Sequence, residues 1–357
     1  MAYTTISKSS DHFSSNIYTG TGSSQTIVTG HQSDLIWIKQ RTTVRPNVWF
    51  DSVNSSMFAS SNSKYLRSDS DAALTSNDST QLTANSSTGF TLGTDSSDQV
   101  NHSGSTAVAH SWKANGQGSS NTDGSINSTY TSANTTSKFS IVTYTGTGSN
   151  ATVGHGLGVV PQSIWLKCTS NAGEDWMVYH HNLGATHYLS LNGTGGDNSG
   201  GEVIWNDTVP TSSVFSIGTN GKVNTSGRTY VAYCFAEVQG FSKIGRYTGN
   251  GQADGDGIFI YTGFKPAWIM FKKSDGAANW WLFDSARDPH NQASKVLLPD
   301  NTAAETSTSA KYFDILSNGF KLRSSEANWN GSGNGYVYWS FAEEPLVASN
   351  NVAATAR

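Results

Sequence analysis

Charged side chains are scarce in this sequence of 357 residues. Aspartate, glutamate, lysine and arginine make up 13 % of it, about half of the roughly 25 % that soluble domains usually carry. The formal net charge is −4, and the charges are spread without long runs of one sign. A surface that binds DNA or an anionic membrane needs clustered lysine and arginine. The composition therefore speaks against both as partners.

Long apolar runs are also missing. No stretch approaches the roughly 20 apolar residues of a membrane-spanning helix, and no basic-then-apolar signal segment opens the sequence. We therefore expect neither membrane insertion nor export by the ordinary secretory route. Assembly inside a cell into a particle that is released later would agree with both expectations.

Glycine and aromatic residues are abundant, with 36 Gly, 11 Trp, 14 Tyr and 15 Phe. The aromatic residues occur with β-branched residues in short segments, which alternate with clusters of Gly, Asn, Ser and Thr. This pattern is typical of strands joined by tight turns, and so many rings exclude a disordered chain. The sequence predicts an all-β protein, with short helical turns only near residues 285–293 and 302–310.

Three passages of the sequence share one order of parts. Each begins with Tyr-Thr-Gly, at residues 18–20, 144–146 and 247–249, and continues with an apolar strand that ends in Lys39, Lys167 or Lys272. A second apolar strand closes each passage. The period is the size of a domain and too long for a stacked solenoid unit. We therefore predict three tandem β-sandwiches of the jelly-roll, lectin-like kind.

The predicted boundaries follow these passages. Residues 1–114, 138–238 and 239–346 form sandwich repeats 1, 2 and 3, residues 115–137 form a Gly/Ser/Asn-rich linker, and residues 347–357 form a polar C-terminal tail. Because repeats 2 and 3 follow each other directly, we expect them to dock closely and repeat 1 to be joined more loosely. Residues 230–235 are apolar on both faces, which predicts a strand covered on both sides.

Both cysteines, Cys168 and Cys234, lie in repeat 2, and repeats 1 and 3 have none at the matching positions. A fold that forms twice without cysteine does not require a disulfide. We therefore expect two buried free thiols. We expect no cofactor or metal either, since each repeat can close its own aromatic interior.

Several tryptophans lie beside Gly, Asn and Asp clusters rather than inside the predicted strands. Aromatic rings flanked by amides and carboxylates suit sugars, because a ring can stack on the C–H face while polar groups bind the hydroxyls. The alternative is that the same rings belong to the ordinary core. The candidate glycan-binding residues are Trp176, Trp205, Trp280, Trp281 and Trp329.

Other motifs have simpler explanations than a ligand site. The glycine-rich residues 154–158 lead into another strand, which favours a hairpin loop over a phosphate site. His180 and His181 are adjacent on a predicted strand and point to opposite faces, so with His187 they favour a surface or turn role over a metal. Residues 254–257 favour a turn over a calcium loop. The three strand-end lysines are expected to be solvated.

Catalysis is the minority hypothesis. Asp284 with Glu305, or Glu343 with Glu344, could be paired carboxylates for glycosidic hydrolysis. Nothing in the sequence forces two such groups together, and no Gly-x-Ser-x-Gly element fixes a nucleophile. No catalytic residue is therefore predicted.

Residues 1–6, 11–13 and 18–20 look like the start of many marine-bacteriophage structural proteins. In repeats 2 and 3, residues 139–146, 229–237, 261–268, 284–289 and 319–323 resemble an uncharacterised tandem domain that recurs in phage tail-fibre and other virion proteins. The resemblance covers nearly the whole chain, and repeat 1 departs from it by ending in Trp112-Lys113-Ala114 instead of Phe-Ala-Glu. It implies a virion component but no catalytic or binding residues.

The sequence thus predicts a non-enzymatic virion protein, in or near the tail fibre, whose partners are other virion proteins and host surface glycans. It would be assembled in the host cytoplasm and could form a homotrimer. Two alternatives remain open: a capsid decoration or head-fibre protein with architectural contacts only, and a depolymerase of surface polysaccharide.

Overall fold

The computed structural model of the chain describes residues 4–58, 63–76, 80–307, 313–345 and 347. Antiparallel sheets dominate this part, so the prediction of an all-β, sandwich-like fold is confirmed. The predicted tail at residues 347–357 lies outside the described residues except for position 347. The helices of the described part are α1 (Gly201–Ile204), α2 (Gly221–Asn224) and the 3-10 turns Ser9–Asp11, Ser55–Met57 and Asp254–Asp256.

Of the two helical turns predicted from the sequence, the first is confirmed only as a single turn at residues 285–287, where Asp288 N donates to Asp284 O at 3.3 Å, and the second is wrong where it can be compared. Residues 285–287 form a turn that Asp284 closes by accepting a hydrogen bond from Arg287 N at 2.8 Å. Residues 302–307 are extended and include the short strand Thr306–Ser307, and residues 308–310 lie outside the described residues.

The described residues of repeat 1 contain nine strands in two sheets. The main sheet has the order β1-β9-β3-β4-β5-β6, and the second sheet has the order β2-β8-β7. The strands are β1 (Phe13–Thr19), β2 (Gln25–Val28), β3 (Leu35–Gln40), β4 (Asn47–Asp51), β5 (Lys64–Arg67), β6 (Thr75–Ser76), β7 (Leu82–Ser86), β8 (Gly89–Leu92) and β9 (Thr106–Trp112).

Repeat 2 has a main sheet of order β10-β11-β18-β13-β14-β15-β16 and a second sheet of β12 and β17. Its strands are β10 (Tyr130–Asn134), β11 (Phe139–Thr145), β12 (Ala151–Gly154), β13 (Ser163–Cys168), β14 (Met177–His180), β15 (His187–Ser190), β16 (Asn198–Ser199), β17 (Val214–Ile217) and β18 (Thr229–Phe235).

Repeat 3 has a main sheet of order β19-β27-β21-β22, a second sheet of order β20-β26-β25 and the pair β23-β24. Its strands are β19 (Ser242–Thr248), β20 (Phe259–Tyr261), β21 (Phe264–Lys273), β22 (Trp280–Asp284), β23 (Lys295–Val296), β24 (Thr306–Ser307), β25 (Phe313–Leu316), β26 (Gly319–Leu322) and β27 (Gly335–Pro345).

The three main sheets share a four-strand centre. In each repeat the first strand pairs with the closing strand, which pairs with the lysine-bearing strand, which pairs with the next strand. The register agrees as well, because Ile17, Thr143 and Arg246 are opposite Val108, Val231 and Val337 respectively. The same topology therefore occurs three times in the chain.

The repeated Tyr-Thr-Gly element forms a turn that a buried asparagine holds. In each repeat the amide oxygen accepts from a backbone N–H just after the glycine, and the amide nitrogen donates to two backbone carbonyls. The glycine is needed because a Cβ on Gly146 would lie 2.4 Å from Thr225 O. The oxygen contacts are Asn101 with Thr21 N (2.9 Å), Asn224 with Thr147 N (2.8 Å) and Asn330 with Asn250 N (3.1 Å).

Replacing Asn224 by alanine is expected to lower the free energy of unfolding by about 2–3 kcal/mol, because the buried Gly218 O loses its amide donor along with the other contacts. Urea unfolding measures the change. The control is Asn150→Ala, which removes one exposed amide contact and should stay within about 0.5 kcal/mol of the parent protein. Equal effects of the two substitutions would contradict the proposed role of the buried amide.

Each main sheet is covered on both faces. On β18, Tyr230, Ala232 and Cys234 pack in the interior of repeat 2, against residues of its second sheet. The alternate residues Val231, Tyr233 and Phe235 belong to a different cluster, which also contains side chains from repeats 1 and 3. The prediction that residues 230–235 are buried on both faces is confirmed, and the second cover comes from the other repeats.

The shared cluster, here called the central core, is rich in tryptophan. The ring centroid of Trp49 lies 5.7 Å from that of Trp165 and 5.4 Å from that of Tyr233, and the ring centroid of Phe13 lies 5.1 Å from that of Phe341. Repeat 1 thus contacts both other repeats as closely as they contact each other. The expectation that it is joined more loosely is wrong, because the aromatic faces of all three main sheets meet at one place.

Residues 115–137, predicted as a linker, form structure on repeat 2. Strand β10 lies inside this segment and extends the main sheet by pairing with β11. Ile126 is buried in the interior of repeat 2 and its N–H donates to Thr152 O of β12 at 3.0 Å. Backbone hydrogen bonds do not require large apolar side chains, which explains why composition suggested a plain connector.

Both cysteines are buried free thiols, as predicted. Cys168 and Cys234 lie on adjacent strands but out of register, since Cys168 is opposite Tyr230 and Cys234 is opposite Ile164. Burial also raises the pKa of the Cys234 thiol, so at neutral pH this residue behaves as an apolar side chain.

Candidate functional site

The five tryptophans predicted to bind glycans do not form a surface. Trp176, Trp205, Trp280 and Trp329 are at most 4 % exposed, and Trp281 is half-buried. Trp205 and Trp329 lie in the interiors of repeats 2 and 3, whereas Trp176 and Trp280 belong to the central core. The expected exposure is wrong, because polar neighbours in the sequence do not reveal what another repeat packs against a ring. These residues were assigned to sugar binding because they were expected to be exposed, and that reason does not hold.

Trp176 and Trp280 connect neighbouring repeats instead. Together with Asn47, which has the matching position in repeat 1, each donates a side-chain N–H to a backbone carbonyl of another repeat. Repeat 2 donates to repeat 1, repeat 3 donates to repeat 2, and repeat 1 donates to repeat 3, so the three bonds form a closed ring. They are Trp176 Nε1 to Arg67 O (2.8 Å), Trp280 Nε1 to Ser190 O (3.0 Å) and Asn47 Nδ2 to Leu298 O (3.0 Å).

The three strand-end lysines form a second ring of contacts between repeats. Lys39, Lys167 and Lys272 are at most 1 % exposed, so the expectation that they are solvated is wrong. Each ammonium group donates to one carbonyl of its own repeat and to one of a neighbour, which satisfies the buried charge. The contacts between repeats are Lys39 Nζ to Thr302 O (3.3 Å), Lys167 Nζ to Asp71 O (2.9 Å) and Lys272 Nζ to Thr194 O (2.9 Å).

Burial lowers the pKa of each of these lysines to about 8. The unfolded chain then holds lysine protons at a pH where the folded chain has lost them, so the free energy of unfolding rises as the pH rises above about 8. The slope is at most about 1.4 kcal/mol per pH unit for each lysine. Urea unfolding between about pH 7.5 and pH 9 measures the net slope, which ionisation of the buried thiol in the unfolded chain reduces from about pH 8 upward, whereas the buried tyrosines act only nearer pH 10.

The matched variants for this pH dependence are Lys272→Met and Lys273→Met, which change adjacent residues of β21. Lys272→Met should reduce the slope that the lysines contribute by about one third, whereas Lys273→Met, at a half-buried position, should change it much less, because Lys273 is the smallest contributor to the lowered pKa of Lys272. A flat or falling profile in the parent protein would show that the lysines are not desolvated as described.

A third ring joins the closing strand of each repeat to the strand β4, β14 or β22 of another. The residue types on the closing strand and on its partner strand differ between repeats. As with the lysines, repeat 2 contacts repeat 1, repeat 3 contacts repeat 2, and repeat 1 contacts repeat 3. The pairs are Tyr233 O–H donating to Asp51 Oδ2 (2.7 Å), His110 Nε2 beside Asp284 Oδ2 (3.8 Å) and the rings of Trp339 and His180 (4.9 Å between centroids).

The contact between repeats 1 and 3 contains a buried ion network centred on Arg287. This guanidinium donates to Asp284, to Glu305 Oε2 at 3.0 Å and to Leu282 O at 3.0 Å. Arg41 of repeat 1 binds both oxygens of Glu305 at 2.8 Å. Burial by itself would raise the pKa of Asp284, but Arg287 and His110 hold it below the usual value.

Asp284 and Glu305 were the carboxylate pair considered for glycosidic hydrolysis. The structure does bring them together, but it places Arg287 between them, which keeps both charged and hydrogen-bonded. A general acid needs the opposite, a carboxyl group whose pKa is raised. Glu343 is held by Lys265 Nζ at 2.7 Å. The arrangement at Arg287 therefore suits a structural contact.

The histidines take structural positions. His180 is fully buried against Trp339, so a surface role is wrong for this residue, but the predicted turn role is confirmed, because its Nδ1 accepts from Asn182 N at 3.2 Å in the turn after β14. His181 Nε2 lies 2.9 Å from Ile244 O of repeat 3. Within the described ranges, no group of three or more His, Cys, Asp or Glu side chains is arranged to hold a metal ion.

Residues 155–158 of the glycine-rich segment form an irregular loop between β12 and β13, which lie in different sheets, so the predicted hairpin is wrong. His155 is buried there, with Nε2 3.1 Å from Thr211 O. Residues 254–256 form a one-turn 3-10 helix, which agrees with the predicted turn. None of the described helices has the length and apolar character to cross a membrane.

A cleft opens where repeat 1 meets the edge of the main sheet of repeat 2. This junction cleft has a volume of about 250 Å³. Tyr130 of β10, Thr143 of β11 and Thr229 of β18 line one side, and residues 51, 53 and 54 at the end of β4 line the other. It combines an aromatic ring, hydroxyl groups and an amide, which is the chemistry that the tryptophans were expected to supply.

Sequence reasoning missed both the buried lysines and the junction cleft. A signal for the lysines was present, because a charged residue recurs at one strand position in all three repeats and strand ends exposed to water rarely require a fixed residue. No comparable signal marked the cleft. Its walls come from residues more than 70 positions apart, on segments whose contact depends on how the repeats pack.

Comparison with known proteins gives a family but no activity. Residues 8–345 match a family described as a domain of unknown function, DUF7483, and the chain belongs to this family. The match runs through all three repeats. No curated protein matches the chain.

Proposed function

We propose that this member of the DUF7483 family is a non-enzymatic structural protein of a bacteriophage particle, part of the tail fibre or associated with the tail, which contacts glycans of the host surface. The resemblance of its repeats to virion proteins of marine bacteriophages supports the proposal. On this proposal the chain is assembled in the host cytoplasm, and its other partners are virion proteins.

The observation that best supports an architectural role is that buried ionisable groups form contacts between the repeats. The three lysines, Asp51, Asp284 and Glu305 all form contacts between repeats. Side chains of this kind can perform acid–base chemistry when they face a substrate. Here they hold three sandwiches together as one block, which suits a protein that must keep its shape on a particle surface.

The location on the particle is tested with purified particles from cells that carry the gene. Mass spectrometry should find the chain in the particle fraction, and gold-labelled antibodies should mark the tail. Label on the capsid would favour the decoration or head-fibre alternative. Absence of the chain from purified particles would contradict the proposal altogether.

The surface-binding part is tested with the purified full chain and host cells. Fluorescently labelled protein should bind the cells, and prior removal of the surface polysaccharide should abolish the binding. The same polysaccharide should keep its length distribution after incubation with the protein. Shortened chains would establish the depolymerase alternative instead.

A further inference from the structure

The junction cleft exists because of the segment that only repeat 2 possesses. Strand β10 extends the main sheet beyond β11, whereas the corresponding strands β1 and β19 are sheet edges. Tyr130, the first residue of β10, lies opposite Thr143 in the register and on the same face. The added strand therefore brings an aromatic ring and a hydroxyl group to one wall of the cleft.

The hydroxyl of Thr143 is an unusual feature of this wall. Its oxygen is buried, and among the described residues it has no hydrogen-bond partner. A buried polar atom of this kind is costly unless something binds it. The matching positions in repeats 1 and 3 carry Ile17 and Arg246, so the sandwich itself does not require a hydroxyl here.

The charge of the lining restricts the class of ligand. The residues that line the cleft include no lysine, arginine or histidine, and Asp51 is their one acidic residue. Both oxygens of Asp51 are occupied, by Tyr233 O–H at 2.7 Å and by the N–H groups of Val53 and Asn54 at 3.1 and 2.9 Å. The carboxylate therefore repels anions without offering a free acceptor to a cation.

The size of the cleft restricts the ligand further. A volume of about 250 Å³ lies below the roughly 300–1,000 Å³ of pockets for drug-sized molecules. It suits one ring-sized unit with several hydroxyl groups. Tyr130 offers an apolar ring face, while Thr143, Thr229 and Asn54 offer groups that can bind hydroxyls.

From these observations we propose that the junction cleft binds a single neutral sugar ring, with Tyr130 against its C–H face and the partly exposed Thr143 side chain turned so that its buried Oγ1 bonds to one of the sugar hydroxyls. The inference deepens the proposed function, since it rests on the glycan-binding part of it and supplies a site in place of the buried tryptophans.

The experiment titrates the full chain with methyl glycosides of glucose, galactose and mannose by calorimetry or saturation-transfer NMR, with glucuronate as the anionic probe. At least one neutral glycoside should bind saturably in the millimolar range, and glucuronate should bind at least about fivefold more weakly. Thr143→Val should weaken binding about tenfold without lowering the melting temperature, because it removes a buried hydroxyl that has no described protein partner. Tyr130→Ala should weaken it at least as much.

The control is Thr145→Val, two residues further along β11 at an exposed position outside the cleft lining, which should change neither binding nor stability. Absence of saturable binding by all the neutral glycosides up to about 50 mM, or unchanged binding by Thr143→Val, would overturn the inference. If the parent protein binds host cells and Thr143→Val binds them equally, the cleft is excluded while the proposed function stands. If neutral glycosides bind in the cleft but the protein binds no host cells, the proposed function fails and the sugar site remains.

Discussion

Replacing Trp49 by alanine is expected to lower the free energy of unfolding by about 3–5 kcal/mol. The indole is fully buried in the central core, and its ring centroid lies 4.6 Å from that of Trp37 in its own repeat and 5.0 Å from that of Trp176 in repeat 2. The cavity left by alanine would therefore remove contacts on both sides of the repeat boundary. Urea unfolding, followed by tryptophan fluorescence and circular dichroism, measures the loss.

The same substitution should affect all three repeats, because the central core takes side chains from each of them. Hydrogen exchange followed by mass spectrometry should show reduced protection in the main-sheet strands β3, β13 and β21 together. The control is Trp281→Ala, which removes a half-buried ring that meets Trp329 of repeat 3 edge to face, with 4.7 Å between the ring centroids, and should act mainly there. Loss of protection confined to repeat 1 in Trp49→Ala would show that the repeats are stabilised independently.

Features that lie within one repeat could be predicted from the sequence, whereas features of the shared core could not. Strand identity follows from local alternation of apolar residues, so β18 could be placed and both its faces assigned as buried. The turn after Tyr144 could be located from its repeated Thr-Gly element. These features depend on residues that are close in sequence, or on a pattern that recurs three times and can be recognised in the sequence alone.

Contacts between repeats depend on how the repeats pack against one another, and the sequence pattern does not indicate this packing. Glu305 binds Arg41 across 264 positions, and no periodicity relates the two residues. Trp176 and Trp280 have polar neighbours along the chain, which suggested solvent, but the cover comes from Arg67 and Ser190 of other repeats. The proposed site differs from the expected one for this reason, since the ring and the hydroxyl groups of the junction cleft come from segments that meet only when the repeats pack together.

The second large effect is expected at the ion network. Replacing Arg287 by methionine should lower the free energy of unfolding by about 3–5 kcal/mol, because it leaves a buried carboxylate without its partner. Arg287 and Asp284 are both at most 1 % exposed, so water cannot take over the lost hydrogen bonds. Urea unfolding at neutral pH measures this effect, and Arg323→Met, which removes a partly exposed partner of Asp314 within repeat 3, should cost less.

A second substitution and a pH series distinguish the loss of the charged partner of Asp284 from a simple loss of packing. In Arg287→Met the burial of Asp284 is no longer opposed by the guanidinium, so its folded pKa should rise above the unfolded value and protonation should favour folding. The difference in stability from the parent protein should therefore shrink as the pH falls from about 7 toward 4. The double variant Arg287→Met with Asp284→Asn should recover at least about 1–2 kcal/mol of the loss at neutral pH. If the double variant is no more stable than Arg287→Met and the deficit does not change with pH, then the charge of Asp284 is not what Arg287 compensates.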